Sequence, residues 1–280
     1  MQADLPISTP IPWRPALRYH GGKWRLAPWI IGHFPAHKIY CEPFCGAASV
    51  LLRKPRSRIE IINDLDSEVT NLFQILRDPE HAEQLARQIA LTPYTRDEFA
   101  LSYQPARENI ERARRLVTRS FFGFGTHSHN AANANGFRAS HHKPYAIEWS
   151  GVPANLVTLA ERIIGVTVEN RPAIELITRY DAPDTLFFLD PPYPQTTRNC
   201  GTKGYVHEMS DGDHRDLAYV LKQLQARVII CGYPCHLYDQ ELYADWHRVT
   251  TGHYASGQQG RTPTTEVLWM NFTPAIAPTD

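Results

Sequence analysis

Short apolar runs that end on acids alternate with stretches of helical spacing through much of this chain. "HKIYCEPF" (37–44) and "RIEIINDLD" (58–66) are β-prone and close near carboxylates. The small-residue stretch "GAASVLLRK" (46–54) between them predicts a helix start, so the three together open a βαβ unit. Val69, Leu72, Phe73 and Leu76 in "SEVTNLFQILRD" (67–78) have helical spacing, and Asp78-Pro79 closes that helix. From about 79 to 150 the character changes. Charged, helix-forming sequence such as "ENIERARRLVTRSFF" (108–122) runs into Gly-, Asn- and His-rich "GFGTHSHNAANANGFRASHHKP" (123–144), which predicts an inserted segment rather than more sheet. Alternation resumes with "GVTVEN" (165–170), "TLFFLD" (185–190), the helix "GDHRDLAYVLKQLQ" (212–225), "RVIICGY" (227–233), "WHRVTT" (246–251) and "TEVLWMNF" (265–272). Repeated units of this kind predict an α/β fold, a largely parallel sheet covered by helices on both faces, with functional residues at the carboxyl ends of strands. The expected organisation is a Pro-rich extended leader over 1–15, one body formed by 16–78 and 151–280, and an inserted, mainly helical segment over 79–150.

With 280 residues, 42% of them hydrophobic, the chain can bury a sizeable core. Twenty-nine Lys and Arg balance 29 Asp and Glu, so no global field announces a polyanionic partner, and any nucleic-acid surface must be local. Five cysteines and the lack of a basic start followed by an apolar segment argue against a secreted disulfide scaffold and for a cytoplasmic protein. No apolar stretch is long enough for a transmembrane helix, so no membrane partner is expected.

The strand that ends at Asp190 stops on an acid followed by Pro191, Pro192 and Tyr193. The prolines forbid a continuing strand or helix. A carboxylate, a proline carbonyl and an aromatic ring suit a flat molecule bearing an NH₂, with the two acceptors taking its hydrogens while the ring stacks. In "EPFCGAASV" (42–50), Gly46, Ala47 and Ala48 let a ligand approach the backbone closely, although a tight turn made only for packing has the same look and the dinucleotide fingerprint is absent. "NDLD" puts Asp64 and Asp66 at the end of the second strand. Asp64 is assigned to a ribose-like ligand and Asp66 to the helix cap. "LRYHGGKWRL" (17–26) joins Tyr19, the flexible Gly21-Gly22 pair and Lys23, a combination that would otherwise read as a plain turn before a helix.

Together and in this order, "RYHGGK", "EPFCGAASV", "INDLD" and "DPPY" resemble the S-adenosylmethionine-dependent DNA N6-adenine methyltransferases of the Dam type, across residues 16 to 272. "RYHGGKWRLAPWI" and "TEVLWMN" are most similar to phage-borne members. The resemblance implies a class I methyltransferase sheet of seven strands with an antiparallel edge pair, interrupted by a target-recognition insertion. It implies S-adenosyl-L-methionine as cofactor, double-stranded DNA as partner, and no required metal. It also puts Tyr19, Gly22, Lys23, Glu42, Phe44, Gly46, Asp64 and Asp190 around the cofactor, and Asp190, Pro191, Pro192 and Tyr193 at the reaction. Asn170, closing the third strand, is added as a contact to the cofactor adenine. Ala48 departs from a frequent family glycine. A monomer is expected, in a bacterial or phage-infected cell, with a cognate restriction endonuclease as a possible companion.

For the DNA surface, Arg112, Arg115 and Arg119 share a helical face, and Asn135, Arg138 and Lys143 follow in and after "NANGFRAS" (133–140), where Asn and Arg can read base edges. A solvated charged face remains an equal reading of the three arginines. "PQTTRNCGTKGY" (194–205) is expected to be a mobile loop that orders over a flipped base. Competing readings are cytosine N4 as the target, a metal-dependent phosphoesterase built on Asp64, Asp66 and Asp190, and a degenerate DNA-binding protein. A zinc site at His127, His129, His141 and His142, or at the pairs Cys41/Cys45 and Cys231/Cys235, lacks the short C-x-x-C spacing of zinc ribbons.

Overall fold

The computed structural model describes residues 12–125, 127–131, 135–197, 205–257 and 260–274. Most of the expected leader, and residues 198–204 of the expected loop, lie outside these. A short helix α1 (Ala27–Ile31) precedes strands β1 (Ile39–Glu42) and β2 (Ile59–Asn63). Helices α2 (Ser67–Arg77), α3 (Pro79–Leu91), α4 (Arg96–Leu101), α5 (Asn109–Phe122), α6 (Tyr145–Ser150) and α7 (Val152–Ile163) follow. Then come β3 (Thr167–Glu169), α8 (Ala173–Arg179), β4 (Thr185–Leu189), α9 (Asp211–Leu221), β5 (Arg227–Gly232), a π-helical turn (Leu237–Leu242), β6 (His247–Gly257) and β7 (Gly260–Met270).

The seven strands form one sheet in the order β3-β2-β1-β4-β5-β7-β6. β1 to β5 are parallel, while β7 runs antiparallel to both β5 and β6, as expected for the edge pair. Strand alternation sorts the core into two layers. Tyr40, Ile62, Leu186, Phe188, Ile229 and Leu268 face the side covered by α2, α3, α5 and α7. Cys41, Ile61, Phe187, Val228, Ile230 and Trp269 face the side covered by α8, α9 and the π-helical turn. The chain builds outward from β1 to β3 and then returns to place β4 beside β1. That reversal opens a crevice beyond the carboxyl ends of β1 and β4.

One expected element is absent. Residues 46–53 form successive turns instead of a helix after β1. The Leu51 amide is taken by the buried Glu42 carboxylate at 2.6 Å, and both Gly46 and Ala48 have positive φ, +47° and +49°. A helix tolerates neither an intercepted amide nor two left-handed residues at its start. Four helices, α3 to α6, fall within the 79–150 stretch, while the described residues of 123–144 form no α-helix. Leu85, Ile89, Leu116, Val117 and Phe122 share a core with Leu72 and Phe73 of α2.

Candidate active site

A cavity of about 320 Å³ sits at the carboxyl end of the sheet. Tyr19, Gly22, Lys23, Glu42, Phe44, Gly46, Asp64 and Asp190, all anticipated from sequence, line it. So do Asp66 and Pro192.

Asp190 stands one residue beyond β4, where two prolines end the strand, and its side chain is 19% exposed. Its Oδ2 pairs with Lys23 Nζ at 2.8 Å, while Oδ1 is buried and makes no hydrogen bond. Burial pushes the Asp190 carboxyl up to about 6, against the pull of Lys23 and with the help of the nearby Glu266. Lys23 is itself 5% exposed and also donates to the Gly21 carbonyl at 2.6 Å. Burial alone would depress its pKa, but Asp190 and Glu266 outweigh that and hold it well above the usual lysine value. The Gly21-Gly22 turn, with Gly21 at φ +72°, brings the ammonium back toward β4.

Asp64 closes β2, and its carboxylate accepts the amides of Gly46 at 2.8 Å and Asp66 at 2.9 Å. Burial lifts its pKa to about 6, and these two bonds offset only part of the lift. Asp66 is the N-cap of α2, accepting the Glu68 amide at 2.9 Å, as expected. Glu42, 2% exposed, accepts from the Tyr40 hydroxyl and the Leu51 amide, yet burial pushes it up to about 7. Glycine is required at 46, because a Cβ there would stand 2.7 Å from the Tyr19 ring. The cavity wall thus carries seven carboxylates, those of Glu42, Asp64, Asp66, Asp190, Glu208, Asp213 and Asp216, and a single buried lysine tied to Asp190. Such a wall suits a ligand that brings positive charge and hydroxyl donors.

Other anticipated residues lie elsewhere. Asn170 does not line the cavity; its amide donates to the Asp64 and Leu65 carbonyls, tying the end of β3 to the end of β2. Pro172, Ala173 and Ile174, just beyond it, line the cavity instead. Tyr193 is 6% exposed, with its ring edge-on to Tyr233 and its hydroxyl donated to Glu266.

The face expected from Arg112, Arg115 and Arg119 is not a free cationic surface. Arg112 pairs with Glu68 at 2.6 Å on α2, and Arg115 pairs with Glu111 one turn earlier at 2.6 Å. Arg119 is 5% exposed and donates to the carbonyls of His129 and Ser102. Arg119, expected on a phosphate-facing surface, is thus buried and hydrogen-bonded within the protein. Asn135 donates to Ser128 at 3.4 Å. Arg138 pairs with Glu148 and stacks on Tyr145, while Lys143 is exposed.

Tyr205, the last residue of the expected loop, borders the cavity, and sequence reasoning passed over residues 206–209, Asp213 and Asp216, which border it too. Their chemistry is ordinary, and only the return of the chain across the strand ends puts them there. It passed over Glu266 as well, an acid 2% exposed at the head of the apolar "EVLWM". A charged residue opening a fully buried run was the signal available.

Among the described residues no group of three or more His, Cys, Asp and Glu side chains is arranged to hold a metal, and no helix is long and apolar enough to cross a membrane. Residues 19–250 match the family model of the D12 class N6 adenine-specific DNA methyltransferases. A DNA adenine methylase of Serratia marcescens is 26% identical over 247 residues, covering 84% of this chain and 87% of that protein. A DNA adenine methylase of Escherichia coli K12 is 34% identical over 108 residues, 35% of this chain and 38% of that one.

Proposed function

The chain belongs to the D12 class of N6 adenine-specific DNA methyltransferases, and from that membership we propose how its strand-end residues share the work of methylating adenine in DNA. The donor is S-adenosyl-L-methionine, which supplies an electrophilic methyl group on a sulfonium when bound. The wall fits such a donor: the carboxylates match its positive charges, Asp64 retains lone pairs for ribose hydroxyls, and Gly46 lets the Tyr19 ring pack directly on the turn that forms the cavity floor.

Adenine N6 is a weak nucleophile because its lone pair is conjugated with the ring. Asp190 Oδ1 accepts one N6 hydrogen and the Pro191 carbonyl accepts the other, drawing the lone pair out of conjugation and aiming it at the methyl group. Lys23 fixes the carboxylate through Oδ2, so the free oxygen is pre-aimed, and positioning contributes much of the acceleration. The base leaves the duplex stack to reach this site, at a cost of a few kcal/mol that stacking on Tyr193 offsets in part once its ring, 6% exposed against Tyr233, is uncovered. The inserted segment 79–150 faces the DNA, with exposed Lys143 available to phosphate and half-buried Asn135 and Arg138 as the candidates for reading bases.

The observation that carries this reading is Asp190 itself, a carboxylate on the cavity wall at the end of the strand that reads Asp-Pro-Pro-Tyr, held by Lys23 through one oxygen while the other is buried without a hydrogen bond. Transfer of labelled methyl from S-adenosylmethionine to unmethylated DNA tests it, with the product base identified after digestion. The wild type makes N6-methyladenine, and Asp190→Ala reduces the rate by roughly 10³-fold or more. Asp190 must be ionised to accept, so activity rises as pH passes upward through about 6. Undiminished transfer by Asp190→Ala, or N4-methylcytosine as product, overturns the assignment.

A further inference from the structure

Behind the cavity wall lies a buried acid, Glu266, that the mechanism above leaves unused. β7 enters the core at Glu266, two residues before Leu268, so both side chains point to the same face of the sheet. There the Glu266 carboxylate meets three groups. The Tyr193 hydroxyl donates to it, the Cys231 thiol lies 3.1 Å from Oε1, and Lys23 Nζ lies 3.6 Å from the same oxygen. Lys23 in turn holds Asp190, and its ammonium lies 5.0 Å from the centre of the Tyr193 ring.

We propose that Glu266 is a positioning residue for methyl transfer, one carboxylate that sets both the Tyr193 ring and, through Lys23, the aim of Asp190. The proposal rests on the roles given above to Asp190 and Tyr193. A buried acid at this position is costly unless it is satisfied, and here it is satisfied by the two residues that flank the reaction and a thiol. A hydrophobic residue would complete the strand more simply. What the acid adds is a fixed anchor for a tyrosine ring that would otherwise turn about two side-chain bonds, and a second negative neighbour that holds Lys23 between two carboxylates.

Two variants separate positioning from general structural support. Glu266→Gln keeps the shape and an acceptor oxygen for Tyr193 but removes a charge. Glu266→Ala removes both. Displacement of the ring and the lysine in Glu266→Ala lowers kcat by on the order of 10²-fold, with little change in the KM for the methyl donor. Glu266→Gln recovers most of kcat. Adding Tyr193→Phe to Glu266→Ala costs little beyond the single change, because both break the same link.

The charge has its own readout. Groups facing Asp190 are Lys23, Glu42, Tyr193, Cys231, Tyr233, Tyr238 and Glu266. Of these, Tyr193, Tyr233 and Cys231 are held above their usual values, and Glu42 is raised to about 7 and titrates near Asp190. Loss of the Glu266 charge therefore moves the Asp190 titration to lower pH, and the acid limb of activity moves with it. Carboxyl-labelled aspartate followed by NMR, with the Asp190 signal assigned by its disappearance in Asp190→Asn, reads this without any turnover. A downward shift in Glu266→Gln supports the linkage even if the wild type transfers no methyl to DNA, an outcome that would sink the proposed reaction alone. An unmoved Asp190 titration, full activity in Glu266→Ala, or multiplicative losses in the double variant overturns the linkage.

Discussion

Strand β2 carries an acid at each end, and the two are treated in opposite ways. Glu60, at the amino end, is 3% exposed and receives both terminal nitrogens of Arg162, at 2.6 and 2.9 Å, together with Lys54 at 2.7 Å. Burial would raise its pKa, but these bonds and charges hold it below the ordinary value. Asp64, at the carboxyl end, receives only backbone amides and is lifted to about 6. One end completes its charge within the protein. The other leaves its charge under-compensated at the wall of the cavity. Asp190 at the end of β4 and Glu42 at the end of β1 are raised as well, in spite of a Lys23 partner in the first case and the Tyr40 hydroxyl in the second. A buried carboxylate alone therefore does not mark a site in this fold; an under-compensated one at the crevice does.

The comparison is most easily broken at the fully paired end. Arg162→Met strips Glu60 of its bidentate partner and leaves the Leu51 carbonyl without its 2.6 Å donor. Stability is expected to fall by about 3–5 kcal/mol, seen as a drop in the urea midpoint at unchanged slope. A loss below about 1 kcal/mol would mean that Glu60 is no more committed to the scaffold than Asp64.

The two ends also differ in their response to pH. Asp64 has a folded pKa of about 6 against an ordinary 3.8, so its contribution to stability is fully present below 3.8 and is lost as pH rises through 6. Glu60, held low, contributes above its unfolded value and loses that contribution as pH falls through the folded one. Asp64→Asn should therefore gain on the wild type by about 2 kcal/mol between pH 4 and pH 8, after discounting for partial exposure, while Glu60→Gln loses ground over the same interval. Donor affinity should move the other way in Asp64→Asn, falling about tenfold by calorimetry. A pH-independent difference between Asp64→Asn and the wild type would remove the contrast.

Much of this arrangement was legible in the chain. "TLFFLD" and "RVIICGY" read as strands because they are buried on both faces and so apolar throughout, and Asp190 was conspicuous because two prolines end its strand. Helix α5 was equally plain. The destinations of its arginines were not, because the acids that neutralise Arg112 and Arg115 and the carbonyls that hold Arg119 come from packing rather than pattern. The run 46–53 failed for a related reason: small and apolar residues read as a helix unless a distant carboxylate is known to capture one amide. Residues 206–209 carry no local sign of their position over the cavity.

The finest test lies in the segment that joins the two ends. Residues 46–51 run from the Gly46 amide on Asp64 to the Leu51 carbonyl on Arg162, and Ala48 sits between them at φ +49° with no exposure. The left-handed conformation costs an alanine about 1–2 kcal/mol. Replacing it with glycine relieves that cost, but glycine gives up roughly 0.5–1 kcal/mol of backbone entropy. A buried methyl group is lost as well, at about 0.8 kcal/mol. The three contributions nearly cancel, so Ala48→Gly should change stability by less than about 0.5 kcal/mol and donor affinity by less than about twofold. A gain above about 1.5 kcal/mol would show that the methyl group packs poorly and that the turn stores strain between scaffold and site. A loss of that size would show instead that its packing secures Asp64 to the paired end of the sheet.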